Sequence, residues 1–114
     1  MSIQRHGTTR RYSDSVVHQG TVYLVEVPGN PEGDIVAQTG NLLGGIDRLL
    51  AQAGSDRTKL LMVTVYLADM ADYDGMNAVW DAWVPEGCAP TRACVQARLA
   101  HPGWRVEMAV TAAV

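Results

Sequence analysis

Apolar and polar residues alternate most regularly over the last quarter of the chain, Ala89 to Val114 (APTRACVQARLAHPGWRVEMAVTAAV). A period of two is the pattern of a β-strand, whose successive side chains point to opposite faces. His101-Pro102-Gly103 divides the stretch into two strands. In the first, Ala93, Val95, Ala97 and Leu99 share one face, and Arg92, Cys94, Gln96 and Arg98 share the other. In the second, Val106, Met108, Val110 and Ala112 oppose Arg105, Glu107, Ala109 and Thr111. With the apolar sets turned to the core, Arg92, Cys94 and Glu107 are expected together on the side of the sheet away from it.

The same reading extends upstream. Ile3–Arg5 is a short first strand. Ser15–His18 and Thr21–Val27 are β-rich and are separated by Gln19-Gly20, where the glycine supplies the positive φ of a tight hairpin turn. Residues 28–33 (PGNPEG) form a loop. Asp34 then caps a helix whose apolar residues, Ile35, Leu42, Leu43, Ile46, Leu49 and Leu50, recur with helical spacing, and Gly54 ends it. Gly40, Gly44 and Gly45 lie inside this helix, each at a cost of roughly 0.5–1 kcal/mol relative to alanine. At least one of them is expected to permit close approach to another backbone; the alternative is a tolerated weak helix. Lys59–Leu67 (KLLMVTVYL) is apolar on both faces, as a central strand covered on both sides would be. A second helix is expected from Ala71 to Trp83, with Met76, Val79, Trp80 and Trp83 as its apolar stripe and Asp69 or Asp72 as its cap.

The element order is therefore β-β-β-α-β-α-β-β, an α+β domain spanning 1–114 with two helices on one face of a mixed sheet. Two such helices cannot cover both faces. The remaining face needs another partner, and a second copy of the chain is the economical choice.

Charge and composition narrow the function classes. The net charge is −3 and no Lys/Arg run occurs, which argues against a nucleic-acid partner. No apolar stretch is long enough to span a bilayer, so no membrane partner is expected. The opening MSIQRHGTTRRYSDS has no apolar run, so no signal peptide is expected, and the location is expected to be cytoplasmic. Cys88 and Cys94, with three scattered histidines, form neither a disulfide framework nor a zinc pattern, so no metal is expected.

The remaining candidates for chemistry are few. Arg92 can hold a carboxylate through parallel hydrogen bonds. Glu107 can orient or deprotonate a water. Cys94 offers a thiol and a backbone carbonyl, Asn77 a polar group beside the apolar stripe of the second helix, and Tyr12 a phenol ahead of the hairpin. Each also has a structural reading, as a paired surface charge, a wet helix position or a packing residue. Together they describe a small-anion site at a sheet-lined cleft.

The stretch Pro90-Thr91-Arg92-Ala93-Cys94-Val95-Gln96-Ala97-Arg98-Leu99 resembles the signature of the Rid family, the YjgF-type or L-PSP endoribonuclease-like imine deaminases. Val106–Ala112 is similar to that family's closing strand. Val65–Met70 with Met76–Trp80 is similar to its central strand and second helix. The resemblance implies a chorismate-mutase-like fold, a homotrimer with clefts between subunits, and terminal strands that are not neighbours in the sheet. It implies hydrolysis of enamines and 2-imino acids to carbonyl compounds and ammonia, without cofactor or metal. By position, Arg92 matches the arginine that binds the substrate carboxylate, and Glu107 the glutamate that places the attacking water. Cys94 contributes nearby backbone, Asn77 lies near the pocket, and Tyr12 falls at a pocket tyrosine. The third strand departs from the pattern. Where the family has a small residue followed by Gly-Gln, this chain has Leu24-Val25-Glu26-Val27, with Val25 at the pocket serine or alanine and Glu26 at the glycine. Ala109 replaces a second acidic residue. The alternatives are a non-catalytic carboxylate-binding trimer that uses the same pocket, and the ribonuclease or translation-inhibitor role in the family's other name.

Overall fold

A computed structural model describes residues 2–114. The strands are β1 (Gln4–His6), β2 (Ser15–His18), β3 (Thr21–Glu26), β4 (Leu60–Leu67), β5 (Thr91–Gln96) and β6 (Val106–Ala113). The helices are α1 (Ile35–Gln52) and α2 (Tyr73–Trp83), each preceded or followed by short 3₁₀ turns at Arg57–Lys59 and Met70–Asp72. The fold is thus a mixed α+β fold with the expected element order. The first strand begins one residue later than expected, and the turn at Met70–Asp72 takes the first two positions assigned to the second helix.

Local chemistry explains the main boundaries. Gln19 (φ 50°) and Gly20 (φ 77°) both have positive φ, as a two-residue hairpin turn between β2 and β3 requires. The Asp34 carboxylate accepts from the Ala37 amide at 2.9 Å and caps α1. Gly54 follows α1 with φ 80°. Asp69, rather than Asp72, provides the side-chain cap, accepting from the Ala71 amide at the 3₁₀ turn.

The sheet runs β1-β2-β3-β6-β4-β5. Among the described residues, β4 and β5 pair in parallel and the other pairs are antiparallel. β5 and β6 are not neighbours, because β4 lies between them. β6 is the centre of the sheet, and its Val106, Met108, Val110 and Ala112 are buried on the helix side. They meet Val22 and Leu24 of β3, Val63, Val65 and Leu67 of β4, and Leu42, Leu43 and Ile46 of α1 in one core. The opposite face is open: Tyr23, Val25 and Met62 are about half exposed, at 50 %, 50 % and 51 %. Two helices thus cover one face of the sheet and leave the other uncovered, as their lengths predict.

Two expectations are corrected. Arg92 and Cys94 do not lie on the open face. β5 pairs with β4 so that Arg92 stands beside Val63 and Cys94 beside Val65, both fully buried on the helix side. Cys94 packs against the core, whereas Val95 is 41 % exposed on the other face. The physical reason is that an arginine stem can cover apolar surface while its head stays polar. The interior of α1 is the second case. A Cβ at Gly45 would fall 2.6 Å from a carboxylate oxygen of Glu26, so its close neighbour is a side chain and not a backbone. The tight helix–helix approach is at Gly75 of α2, where a Cβ would fall 2.6 Å from Ile35 of α1.

One buried polar side chain ties the loops together. Gln38 is 1 % exposed. Its amide nitrogen donates to the carbonyls of Pro31 and Gly103, both at 2.9 Å, and its oxygen accepts from the Arg105 amide at 2.8 Å. This joins the loop after β3 to the segment that feeds β6.

Candidate functional site

The candidate residues fall into two groups, with Arg92 and Glu107 on opposite sides of the sheet. The first is built on β5 and α2. Arg92 Nη1 donates to Asn77 Oδ1 at 2.8 Å. The guanidinium carbon lies 5.1 Å from the Trp80 ring centroid and 5.9 Å from that of Tyr73. Cation–π attraction and the Asn77 bond hold the head in a defined orientation. Among the described residues, no carboxylate forms an ion pair with Arg92. A cation that is positioned but unpaired is suited to receive an anion. Cys94 is the next residue on the same face, and burial pushes its thiol up against the weaker downward pull of Arg92. The thiol therefore stays protonated near neutral pH and is not an activated nucleophile.

In the second group, Glu107 and Val25 lie on the open face. Glu107 stands beside Tyr66 of β4, and Val25 beside Ala109 of β6. A groove of about 330 Å³ runs over this face, lined by Tyr23, Val25, Met62, Thr64 and Ala109 among others. Tyr12 is 63 % exposed in the loop between β1 and β2. At about 4.8 Å per strand, β2 is roughly 19 Å from β5, and β6 is roughly 10 Å from it. A single chain therefore brings Arg92, Asn77 and Cys94 together, and holds Glu107, Val25 and Tyr12 apart from them. A further surface groove, about 750 Å³ and lined by Arg98, His101 and Trp104 among others, contains none of these residues.

Glu26 belongs to neither group. It pairs with Met108, which places it on the helix side, and its carboxylate sits beneath α1 against Gly45 with Arg48 at 3.9 Å. Of the two departures in the third strand, only Val25 is on the face that carries Glu107. Burial holds the Glu26 carboxyl above its ordinary 4.5; this outweighs the Val27 amide and Arg48, which pull it down, while Asp14 adds to the rise. A raised folded-state value means a contribution present at low pH and lost as pH rises through the folded value. Glu26→Gln is therefore expected to raise the melting temperature at pH 7–8, with the gain shrinking as pH falls towards 4.5. Melting curves across that range check this; an equal shift at every pH would contradict it.

Trp80 and Tyr73, which complete the surroundings of Arg92, were not singled out as site residues from the sequence. Tyr73, Asn77 and Trp80 are spaced i, i+4 and i+7, one face of a helix, which is the signal that groups them. Among the described residues, no cluster of His, Cys, Asp and Glu could hold a metal, and no helix is long and apolar enough to cross a membrane.

These features define a small α+β protein with a mixed six-stranded sheet, an unpaired arginine on the helix side of its parallel edge and a glutamate on the open face. The endoribonuclease L-PSP family profile matches residues 2–114. The chain belongs to this family, which is the Rid or YjgF family. It is 44 % identical over 114 residues to the RutC family protein YoaB of Escherichia coli K12, covering all of both chains. It is 37 % identical over 82 residues to the 3-aminoacrylate deaminase RutC of Acinetobacter baylyi, covering 72 % of this chain and 64 % of that one. The crystal structure of a YjgF-family protein from Neisseria meningitidis superposes with a TM-score of 0.96 at 50 % identity, covering 99 % of this chain and 95 % of that one.

Proposed function

We propose that the protein hydrolyses small enamines or 2-imino acids to a carbonyl compound and ammonia, in clefts between the subunits of a homotrimer. The observation that carries this is the Arg92 head, oriented by Asn77 and Trp80, unpaired, and on the opposite face from Glu107. In the proposed assembly, Arg92, Asn77 and Cys94 of one subunit meet Glu107, Val25 and Tyr12 of the next. The open sheet face supports such an assembly, because exposed Tyr23, Val25 and Met62 gain from being covered. A relative named for 3-aminoacrylate, an enamine that carries a carboxylate, supports the substrate class.

The chemistry asks little of the protein. An enamine protonated at carbon becomes an iminium, whose carbon is already electrophilic. Arg92 holds the carboxylate. Glu107 accepts a proton from a water as its oxygen attacks that carbon. Glu107 returns that proton to the nitrogen and takes the hydroxyl proton as the C–N bond breaks, so ammonia leaves as the carbonyl forms, and the proton left on Glu107 is the one the enamine carbon gained. Water is consumed and no cofactor takes part. Fixing substrate and water in reacting geometry supplies much of the acceleration.

The test is to generate several 2-imino acids in situ and compare their hydrolysis with and without the protein. Acceleration over buffer is expected; its absence for the whole set would overturn the reading. A second reading, a carboxylate-binding trimer without turnover, is favoured by Val25, which places a branched side chain on the Glu107 face. It predicts a raised melting temperature with pyruvate and no acceleration.

A further inference from the structure

The Arg92 cradle contains one more group than the proposed reaction has used. Tyr73, on the first turn of α2, places its hydroxyl 3.5 Å from Arg92 Nη2, with Nη2 donating. The phenol is thus an acceptor towards the guanidinium. Its own O–H donates to no described residue. Tyr73 is 40 % exposed, so the hydroxyl lies at the mouth of the cradle, whereas Trp80, at 6 %, forms its floor. A phenol that accepts from a cation becomes a better donor, because hydrogen bonds in a chain polarise one another.

We propose that Tyr73 is a second substrate-binding group. Its hydroxyl donates to one oxygen of the carboxylate that Arg92 holds. The inference rests on the reading of Arg92 as the carboxylate-binding residue. It adds that recognition involves a phenol O–H as well as guanidinium N–H donors. Asn77 and Trp80 remain positioning residues, which fix the guanidinium without touching the ligand. The ligand class is a small planar carboxylate, with one oxygen shared between Tyr73 and Arg92 Nη2 and the other facing the remaining N–H donors. A neutral ester cannot use this arrangement equally well, since its carbonyl and alkoxy oxygens are weaker acceptors than a carboxylate.

The experiment measures pyruvate binding to the intact protein by calorimetry, for wild type, Tyr73→Phe and Arg92→Ala, beside 2-imino acid kinetics. Tyr73→Phe keeps the ring over Arg92 and removes only the hydroxyl. It is expected to weaken pyruvate binding about three- to ten-fold and raise KM similarly, with kcat and melting temperature unchanged. Arg92→Ala is expected to abolish binding. If Arg92→Ala loses pyruvate and Tyr73→Phe binds it as wild type does, the inference falls and the Arg92 reading stands. If wild type does not bind pyruvate, or Arg92→Ala still does, both fall. A fall in kcat and melting temperature together in Tyr73→Phe would assign the hydroxyl a structural role and overturn the inference.

Discussion

A one-to-one mixture of Arg92→Ala and Glu107→Gln subunits is expected to recover hydrolytic activity that neither variant has alone. Arg92 lies on the helix side of the sheet, and Glu107 on its open face two strands away. No rotation of side chains brings them together through a packed sheet. A cleft that uses both must draw them from different subunits. Arg92→Ala removes charge-assisted hydrogen bonds worth about 1.5–3 kcal/mol each, so a loss on the order of a hundred-fold or more is expected. Glu107→Gln keeps the shape but cannot take a proton from water. In a closed ring of randomly mixed subunits, about a quarter of the clefts pair an intact Arg92 with an intact Glu107. Coexpressed or co-refolded mixtures should therefore show up to that share of wild-type activity, with mixed assemblies verified by native mass spectrometry. Mixed assemblies that remain inactive would show that the two residues do not act across a subunit boundary.

Gln38→Leu is expected to cost about 3–5 kcal/mol of stability, because it strips partners from two carbonyls and one amide at a buried site. The side chain volume is nearly conserved, so the loss comes from desolvated backbone groups rather than from a cavity. Those groups are Pro31, Gly103 and Arg105, on the two loops that Gln38 joins. Urea unfolding reads the effect as a lower midpoint with an unchanged slope. A loss below about 1 kcal/mol would mean that water reaches the freed groups.

Periodicity located the elements well, because most are cleanly amphipathic. The alternation of β6 matches its burial at every position from Val106 to Ala112. β5 shows where this reasoning stops. Alternation says which residues share a face, but not which face is covered. Ala93 and Val95 are apolar, so they read as the inner set; yet α2 offers aromatic rings to Arg92 on that side, and its stem takes the inner position. The site was legible as residue types and not as geometry. Arg92, Cys94 and Glu107 stand out in the sequence as candidates, whereas their division between two faces depends on the parallel pairing of β4 with β5. Gln38 was invisible because it sits on the buried stripe of α1 as a polar exception, and its partners are distant in sequence. Glu26 is a departure visible in the sequence, but only its register with Met108 puts it beneath α1 and off the face that carries Glu107.

The position of β6 also governs how the chain comes together during synthesis. It is last of the strands in chain order and yet central in the sheet, with β3 on one side and β4 on the other. Until residues 106–113 have emerged from the ribosome, the β1-β2-β3 meander and the β4-β5 pair are separate fragments, with no strand between them. Each exposes a row of unpaired backbone groups and half of a hydrophobic core. Sheet closure is therefore a late, long-range event, of the kind that folds slowly and exposes nascent chains to aggregation.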